Sequence, residues 1–189
     1  MPLPSRFWQD LTWPEFRSLP ANTVAVLPVG AIEQHGPHLP VAVDTAINQG
    51  IVARTLKVIP DDLPVLVLPT QAVALSVEHL RYPGTITTSA ETLIALVCDI
   101  GASVARAGVK RLVFLNSHGG IGGVQHGFEL MLSACEKTAD QDLPILAAVL
   151  CPGVVRTKIG TSERNRPGTV QGAAFGTQGL TTATEAIDP

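Results

Sequence analysis

A chain of 189 residues with 46% apolar and only 15% charged side chains can bury one sizeable core, and two independent domains would be hard to sustain. A formal net charge of −3, a pI near 5.9 and the absence of a basic stripe exclude nucleic acid and anionic membranes as natural partners. The mean hydropathy of +0.29 leaves little charged surface for a soluble monomer, which suits a buried central sheet and a homo-oligomer whose copies cover part of it.

The N-terminus, Met-Pro-Leu-Pro-Ser-Arg-Phe-Trp, lacks a positive head followed by an apolar core, so no export signal is expected and a cytoplasmic location is predicted. A short helix is expected to begin around Thr12, with Pro14 and Glu15 in its first turn. Residues 23–29 (Thr-Val-Ala-Val-Leu-Pro-Val) read as a buried strand, residues 44–57 as a helix stopped before Pro60, and residues 63–70 as a second strand. A long loop, 71–88, carries Ser76, Glu78, His79 and the Pro83-Gly84 turn signal. Ser89 caps the longest predicted helix, 90 to about 107, which Gly108 stops. Residues 111–115 form a third buried strand, a helix is expected from about 124 to 138, and a strand over 144–150 completes the pattern.

Strands alternating with helices pair in parallel through right-handed crossovers, which predicts a three-layer αβα sandwich with a mostly parallel central sheet. No apolar run reaches membrane-spanning length. Cys98, Cys135 and Cys151 are widely spaced within apolar runs and read as buried, reduced thiols. After about Val155 the composition turns to Thr, Gly and Gln without periodicity, so 1–155 is predicted as the domain and 156–189 as a loose or irregular tail.

The chemistry concentrates after the first strand, in Gly30-Ala-Ile-Glu33-Gln-His35-Gly-Pro-His38-Leu-Pro, followed by Asp44-Thr45. Glu33 and His35 project to one side of an extended backbone, and Asp44 opens a helix whose free N–H groups favour a carboxylate. Carboxylate and imidazole donors together suit Zn²⁺, Mn²⁺ or Fe²⁺. Taken singly, Glu33 and His35 also fit a solvated loop pair, and Asp44 an ordinary helix cap. His118 leaves the third strand before Gly119 and Gly120, which would let a ligand approach the backbone closely. Since ligands sit beyond the carboxyl ends of parallel strands, the Glu33/His35 loop and the His118 loop are expected to converge. His38 reads as a loop residue packed on prolines and His126 as a helix residue, while Glu78-His79 is equally a substrate-orienting or a plain surface pair. The glycines at 119, 120, 122 and 123 resemble a nucleotide loop only in composition, lacking the Lys-Ser/Thr pair and the regular spacing.

These motifs, with Ser76-Val-Glu-His79, Pro83-Gly84-Thr85 and Asn116-Ser-His118-Gly-Gly in order, resemble the creatininase family, whose members include creatinine amidohydrolases, formamide deformylases and mycofactocin precursor peptidases. The resemblance implies an αβα fold, a two-metal site and a tendency to form hexamers. It places Glu33, Asp44 and His118 on one divalent ion (Zn, Mn or Fe) and His35 and Asp44 on the other, with Asp44 bridging. Ser76, His79, Gly119 and Gly120 fall on its substrate side, with His79 the candidate for a catalytic proton carrier. The implied reaction is hydrolysis of a cyclic or other non-peptide C–N amide bond through a metal-bound hydroxide.

The chain departs from the family pattern in three places. No His-Ala-Gly-Glu-x-Glu-Thr motif occurs in 156–189, the position two after His118 is Gly120 where creatininase has an acidic ligand, and Ile121 replaces the usual Asn. Two dications facing only Glu33 and Asp44 leave the His35 ion weak or absent. The expectation is therefore a C-terminus that is truncated or frame-altered, and the rival to an active enzyme is an impaired pseudoenzyme or fragment retaining the core and at most one metal.

Overall fold

The computed structural model of the chain describes residues 3–118 and 146–150. Four parallel strands form one sheet in the order β2-β1-β3-β4: β1 (Val24–Val29), β2 (Val65–Val67), β3 (Arg111–Asn116) and β4 (Leu146–Leu150). Register runs Ala25 opposite Leu66 and Leu112, and Val26 opposite Val67 and Val113. Strand side chains alternate between faces, and two separate apolar clusters result. Ala25, Leu27, Val29, Leu112 and Phe114 pack with Leu93, Val97 and Val104 of helix α3 (Ala90–Arg106). On the opposite face, Val67 and Leu115 pack with Val52 of helix α2 (Val43–Thr55). Helices on both faces of a parallel sheet make the three-layer αβα sandwich that the strand–helix alternation predicted.

Local chemistry explains the element boundaries. Thr12 precedes helix α1 (Trp13–Phe16), where the Glu15 carboxylate accepts hydrogen bonds from the Thr12 N–H at 2.6 Å and from its hydroxyl at 2.7 Å. Ser89 Oγ accepts the Thr92 N–H at 3.2 Å to start α3, and Gly108, at φ +84, turns the chain out of it. Strand β2 is shorter than the predicted 63–70, because Pro64 and Pro69 bracket it and neither can donate to a ladder. Pro28, inside the central strand, is tolerated for a related reason. The β2-facing carbonyls of Val26 and Pro28 accept Leu68 N at 2.8 Å and Gln71 N at 2.8 Å, and the missing N–H of Pro28 falls between them, after β2 has ended. The outer edge of β2 is partly covered by the N-terminal segment, with Val67 N donating to Arg6 O at 2.8 Å.

Cys98 is a free thiol, half-buried on α3; Cys135 and Cys151 lie outside the described residues. So do the predicted helix 124–138, the start of the 144–150 strand and the 156–189 segment. Among the described residues, no helix is long and apolar enough to cross a membrane.

Candidate metal centre

Strand β1 is followed by β2 on one side of it and, after α3, by β3 on the other. The sheet's connections therefore diverge at the carboxyl ends of β1 and β3, the position where parallel sheets open a crevice for ligands. Glu33 and His35 follow β1, His118 follows β3, and Asp44 lies in the first turn of α2.

The strand ends are held together by a residue that the motif did not include. Asn48 is fully buried, and its amide nitrogen donates to Val29 O at 3.0 Å, Leu115 O at 2.7 Å and Ser117 Oγ at 3.1 Å. Ser117 in turn donates its hydroxyl to Asp44 O at 2.8 Å. One helical turn therefore carries Asp44 into the cluster and, four residues on, Asn48 beneath it. Gly30 permits this approach: a Cβ there would stand 2.6 Å from Thr45 Oγ1 and 2.9 Å from Thr45 Cα. The loop after β1 is pinned by Glu33 N donating to Val41 O at 2.9 Å, and by Ile86 N donating to Ile32 O at 2.9 Å. The second contact draws the 71–88 loop over the crevice.

Within the crevice, Glu33 Oε1 is 3.1 Å from His118 Nδ1 and 3.8 Å from Nε2 of both His35 and His79. Asp44 splits its oxygens: Oδ1 is 3.1 Å from His35 Nε2, and Oδ2 is 3.1 Å from His118 Nδ1. Glu33 Oε2 accepts a hydrogen bond from Ser76 Oγ. Glu33, Asp44, Ser76 and His118 are buried, and His35 is half-buried. Asp44 caps nothing: Ala42 occupies the cap position, and the Asp44 side chain turns to the two imidazoles.

Partners orient the rings. His35 Nδ1 faces Glu33 O at 3.1 Å, which directs Nε2 toward Asp44 and Glu33. His118 Nδ1 is aligned on Asp44 Oδ2, while its buried Nε2 has no aligned hydrogen bond and stands 3.2 Å from Glu78 Oε1. Gln34 Oε1 accepts the Gly36 N–H at 2.8 Å, so its amide NH₂ faces His79 Nδ1 at 2.9 Å. That leaves the His79 proton on Nε2, the nitrogen facing Glu33.

The titration of the cluster follows from these contacts. Burial pushes the Glu33 carboxyl above the ordinary range, against the Ser76 hydrogen bond and the nearby His118. Burial also acts to raise Asp44, but hydrogen bonds from His118 and His35 outweigh it and hold the group at about 2. His35 is raised, chiefly by its bond to Asp44. Burial opposes charge on His118, yet Asp44 and Glu33 together carry it above its usual value.

The donor set fits a divalent transition ion. Buried carboxylates and imidazoles converge here, and the rings of His35 and His118 each have Nδ1 engaged by an oxygen acceptor, which is how ligating histidines are ordinarily oriented. Two groups of donors each lie within 4.8 Å of one another: Glu33, His35 and Asp44, and Glu33, Glu78 and His118. All four predicted ligands thus come together. His79 borders the cluster and is about a quarter exposed. Ser76 is buried behind Glu33, and His38 folds over Gly36 at the outer turn. Gly119, Gly120 and His126 lie outside the described residues. The sequence reading missed Asn48, Gln34 and Ser117. The four-residue spacing from Asp44 to Asn48, which puts both on one helix face, was the available signal for the first.

An αβα sheet with buried carboxylate and imidazole donors at its divergence point defines a metal-site α/β protein. The family model for creatininase, described as creatinine amidohydrolase, matches residues 9–173, and the chain belongs to the creatininase family. It is 44% identical over 102 residues to the mycofactocin precursor peptide peptidase of Mycobacterium tuberculosis, covering 50% of this chain and 40% of that protein. It is 33% identical over 121 residues to the creatinine amidohydrolase of Pseudomonas putida, covering 60% of this chain and 45% of that one. A solved manganese creatininase superposes with a TM-score of 0.61 at 32% identity, covering 78% of this chain and 58% of its own. A creatininase variant described as Zn-Zn type gives the same values. The chain therefore spans less than half the length of these two curated relatives.

Proposed function

We propose that this chain is a divalent-metal-dependent hydrolase of C–N amide bonds, with cyclic or other non-peptide amides as its substrate class. The convergence of Glu33, His35, Asp44 and His118 in one buried cluster carries the reading. These four side chains would hold the metal. When bound, a divalent ion lowers the pKa of a coordinated water toward neutrality and polarises the amide carbonyl.

The remaining roles belong to the chain's own groups. Ser76 holds Glu33 by its hydroxyl and fixes which carboxylate oxygen faces the cluster. Asn48 and Ser117 keep the ends of β1 and β3 at a set separation, so Glu33 and His118 arrive pre-positioned. His79, its ring partly open to solvent and its Nε2 facing Glu33, is placed to take a proton from water and, as the imidazolium, pass it to a departing amine.

A second reading, hydrolysis of a peptide bond, is favoured by one observation: the 44% identity to the mycofactocin precursor peptide peptidase. Both are tested by metal-reconstituted protein assayed on creatinine, formamide and a short peptide amide. Turnover that disappears in His35→Ala and Asp44→Ala and falls in His79→Ala supports the hydrolase reading, and the productive substrate chooses between the bonds. Tight metal uptake without turnover on any of them would favour the pseudoenzyme, and no uptake of Zn²⁺ or Mn²⁺ would end the metal reading.

A further inference from the structure

The loop drawn over the crevice presents an apolar surface that no step of the hydrolysis uses. Among the described residues eight large hydrophobic side chains are exposed, and four of them, Val77, Leu80, Tyr82 and Ile86, fall within this one loop. Its backbone is pinned: Ser76 N donates to Thr87 Oγ1 at 2.8 Å, Tyr82 N to His79 O at 3.0 Å, and Ile86 N to Ile32 O at 2.9 Å. At the tip Gly84, at φ +92, lies so near the first ligand loop that a Cβ there would stand 3.3 Å from Val41 Cγ1. Apolar side chains held in water on a fixed backbone beside a polar cluster are the signature of a surface that a ligand covers.

Two neighbouring side chains define the ligand. Tyr82, the chain's single tyrosine, is 52% exposed, and its ring meets that of His79 edge-on with centroids 6.3 Å apart. The aromatic wall therefore begins at the group placed to protonate a departing amine. Arg81 precedes it in the chain. Residues 30–48, 71–88 and 116–118, which build the crevice, contain no other arginine and no lysine. Glu33, Asp44 and Glu78 each face an imidazole, and Arg81, exposed, has no hydrogen bond or ion pair among the described residues. A planar guanidinium with its N–H groups unspent matches a carboxylate, which it can hold by two parallel hydrogen bonds. An apolar surface with one unspent cation is complementary to an apolar anion.

We propose that Arg81 and Tyr82 select the substrate by its amine half: the guanidinium binds a carboxylate there, and the tyrosine ring packs against an apolar side chain. The substrate class is then an N-acylated apolar amino acid. This rests on the hydrolase reading above, in which His79 serves the departing amine, and it narrows that reading while leaving the metal ligands as they stand. Engaging the carboxylate also has a chemical consequence. A free carboxylate competes with an amide carbonyl for a divalent ion, and one held by Arg81 leaves the carbonyl as the group presented to the donor cluster.

The test uses the full chain with 3-fluorotyrosine in place of its single tyrosine, so that one ¹⁹F resonance reports on Tyr82. Metal-free chain is titrated with N-formyl-leucine, its methyl ester and N-formylglycine. The acid is expected to move the resonance at about fivefold lower concentration than the ester, which lacks the charge, or the glycine compound, which lacks the apolar side chain. Arg81→Gln should abolish the preference for acid over ester, and Arg81→Lys should keep part of it. In the Zn²⁺-loaded chain the same preference should appear in kcat/KM, and Tyr82→Ala should lower the selectivity for leucine over glycine. Equal binding of acid and ester by wild type, or an undiminished preference in Arg81→Gln, would overturn the proposal. So would a resonance that no probe moves but dilution of the chain does, since a second copy would then cover this face. Acid-selective binding without turnover by the Zn²⁺-loaded chain supports the recognition site and counts against the hydrolase reading alone.

Discussion

Replacing Asn48 should damage the fold and the metal centre together, because one amide ties both strand ends to α2. Its nitrogen has two hydrogens and three acceptors within 3.1 Å, so two full hydrogen bonds are at stake. At about 1–1.5 kcal/mol per buried bond, Asn48→Ala loses roughly 2–3 kcal/mol. The small cavity adds about 1 kcal/mol, for a total near 3–4 kcal/mol. Asn48→Asp preserves volume but points acceptors at the Val29 and Leu115 carbonyls, so it should cost more at neutral pH. The new carboxyl would be pushed above its unfolded value, and its penalty would therefore grow as pH rises through the acid range. Urea unfolding of metal-free protein at pH 4, 6 and 8 measures all three chains. Asn48→Ala within about 1 kcal/mol of wild type, or Asn48→Asp more stable than Asn48→Ala at pH 8, would refute the reasoning.

Gly30→Ala should destabilise by about 2–3 kcal/mol, since the new methyl would meet the Thr45 backbone at 2.9–3.0 Å; urea midpoints check this, and a neutral result would mean that α2 shifts freely. The Asp44 contacts should stabilise the metal-free chain only within a pH window. The Asp44 share is lost as pH falls below 3.8 through about 2, and the imidazole share is lost as pH rises through the raised values of His35 and His118. The stability difference between wild type and Asp44→Asn should therefore peak in the weakly acid range, and a difference flat from pH 3 to 9 would contradict it. Metal affinity should run the other way, strengthening as pH rises through the same imidazole values, because ligation requires the proton to leave; competition titrations with a chromophoric chelator read this out.

The sheet was legible because its signals are local. Runs such as Val24–Val29 and Arg111–Asn116 are too short and too apolar to be anything but buried strands between helices, and Ser89 and Gly108 mark their helix by capping chemistry alone. Residues 63–70 misled in length, since apolar content extends past Pro64 and Pro69 although ladder bonding does not. The motif Glu33-Gln-His35 with Asp44 and His118 named the donors, because few residue types bind divalent ions and these lay at the exits of two strands and at the start of the helix between them.

Which atom serves which partner was decided only in three dimensions. Asp44 reads equally as a cap until His35 and His118 are seen on its two oxygens, and Ser76 reads as substrate-facing until it is found buried against Glu33. Asn48 carries no motif at all, and Glu78 reads equally as a substrate-orienting or a plain surface residue until it is seen beside His118. Their roles depend on the 71–88 loop folding over the crevice and on β1 and β3 ending side by side, contacts between segments far apart in the chain. By itself the sequence determined the family, the layered fold and the chemical identity of the donors, since these follow from local pattern. The tertiary structure determined the wiring among them, because hydrogen bonds and shared ligands depend on distances that no local pattern encodes.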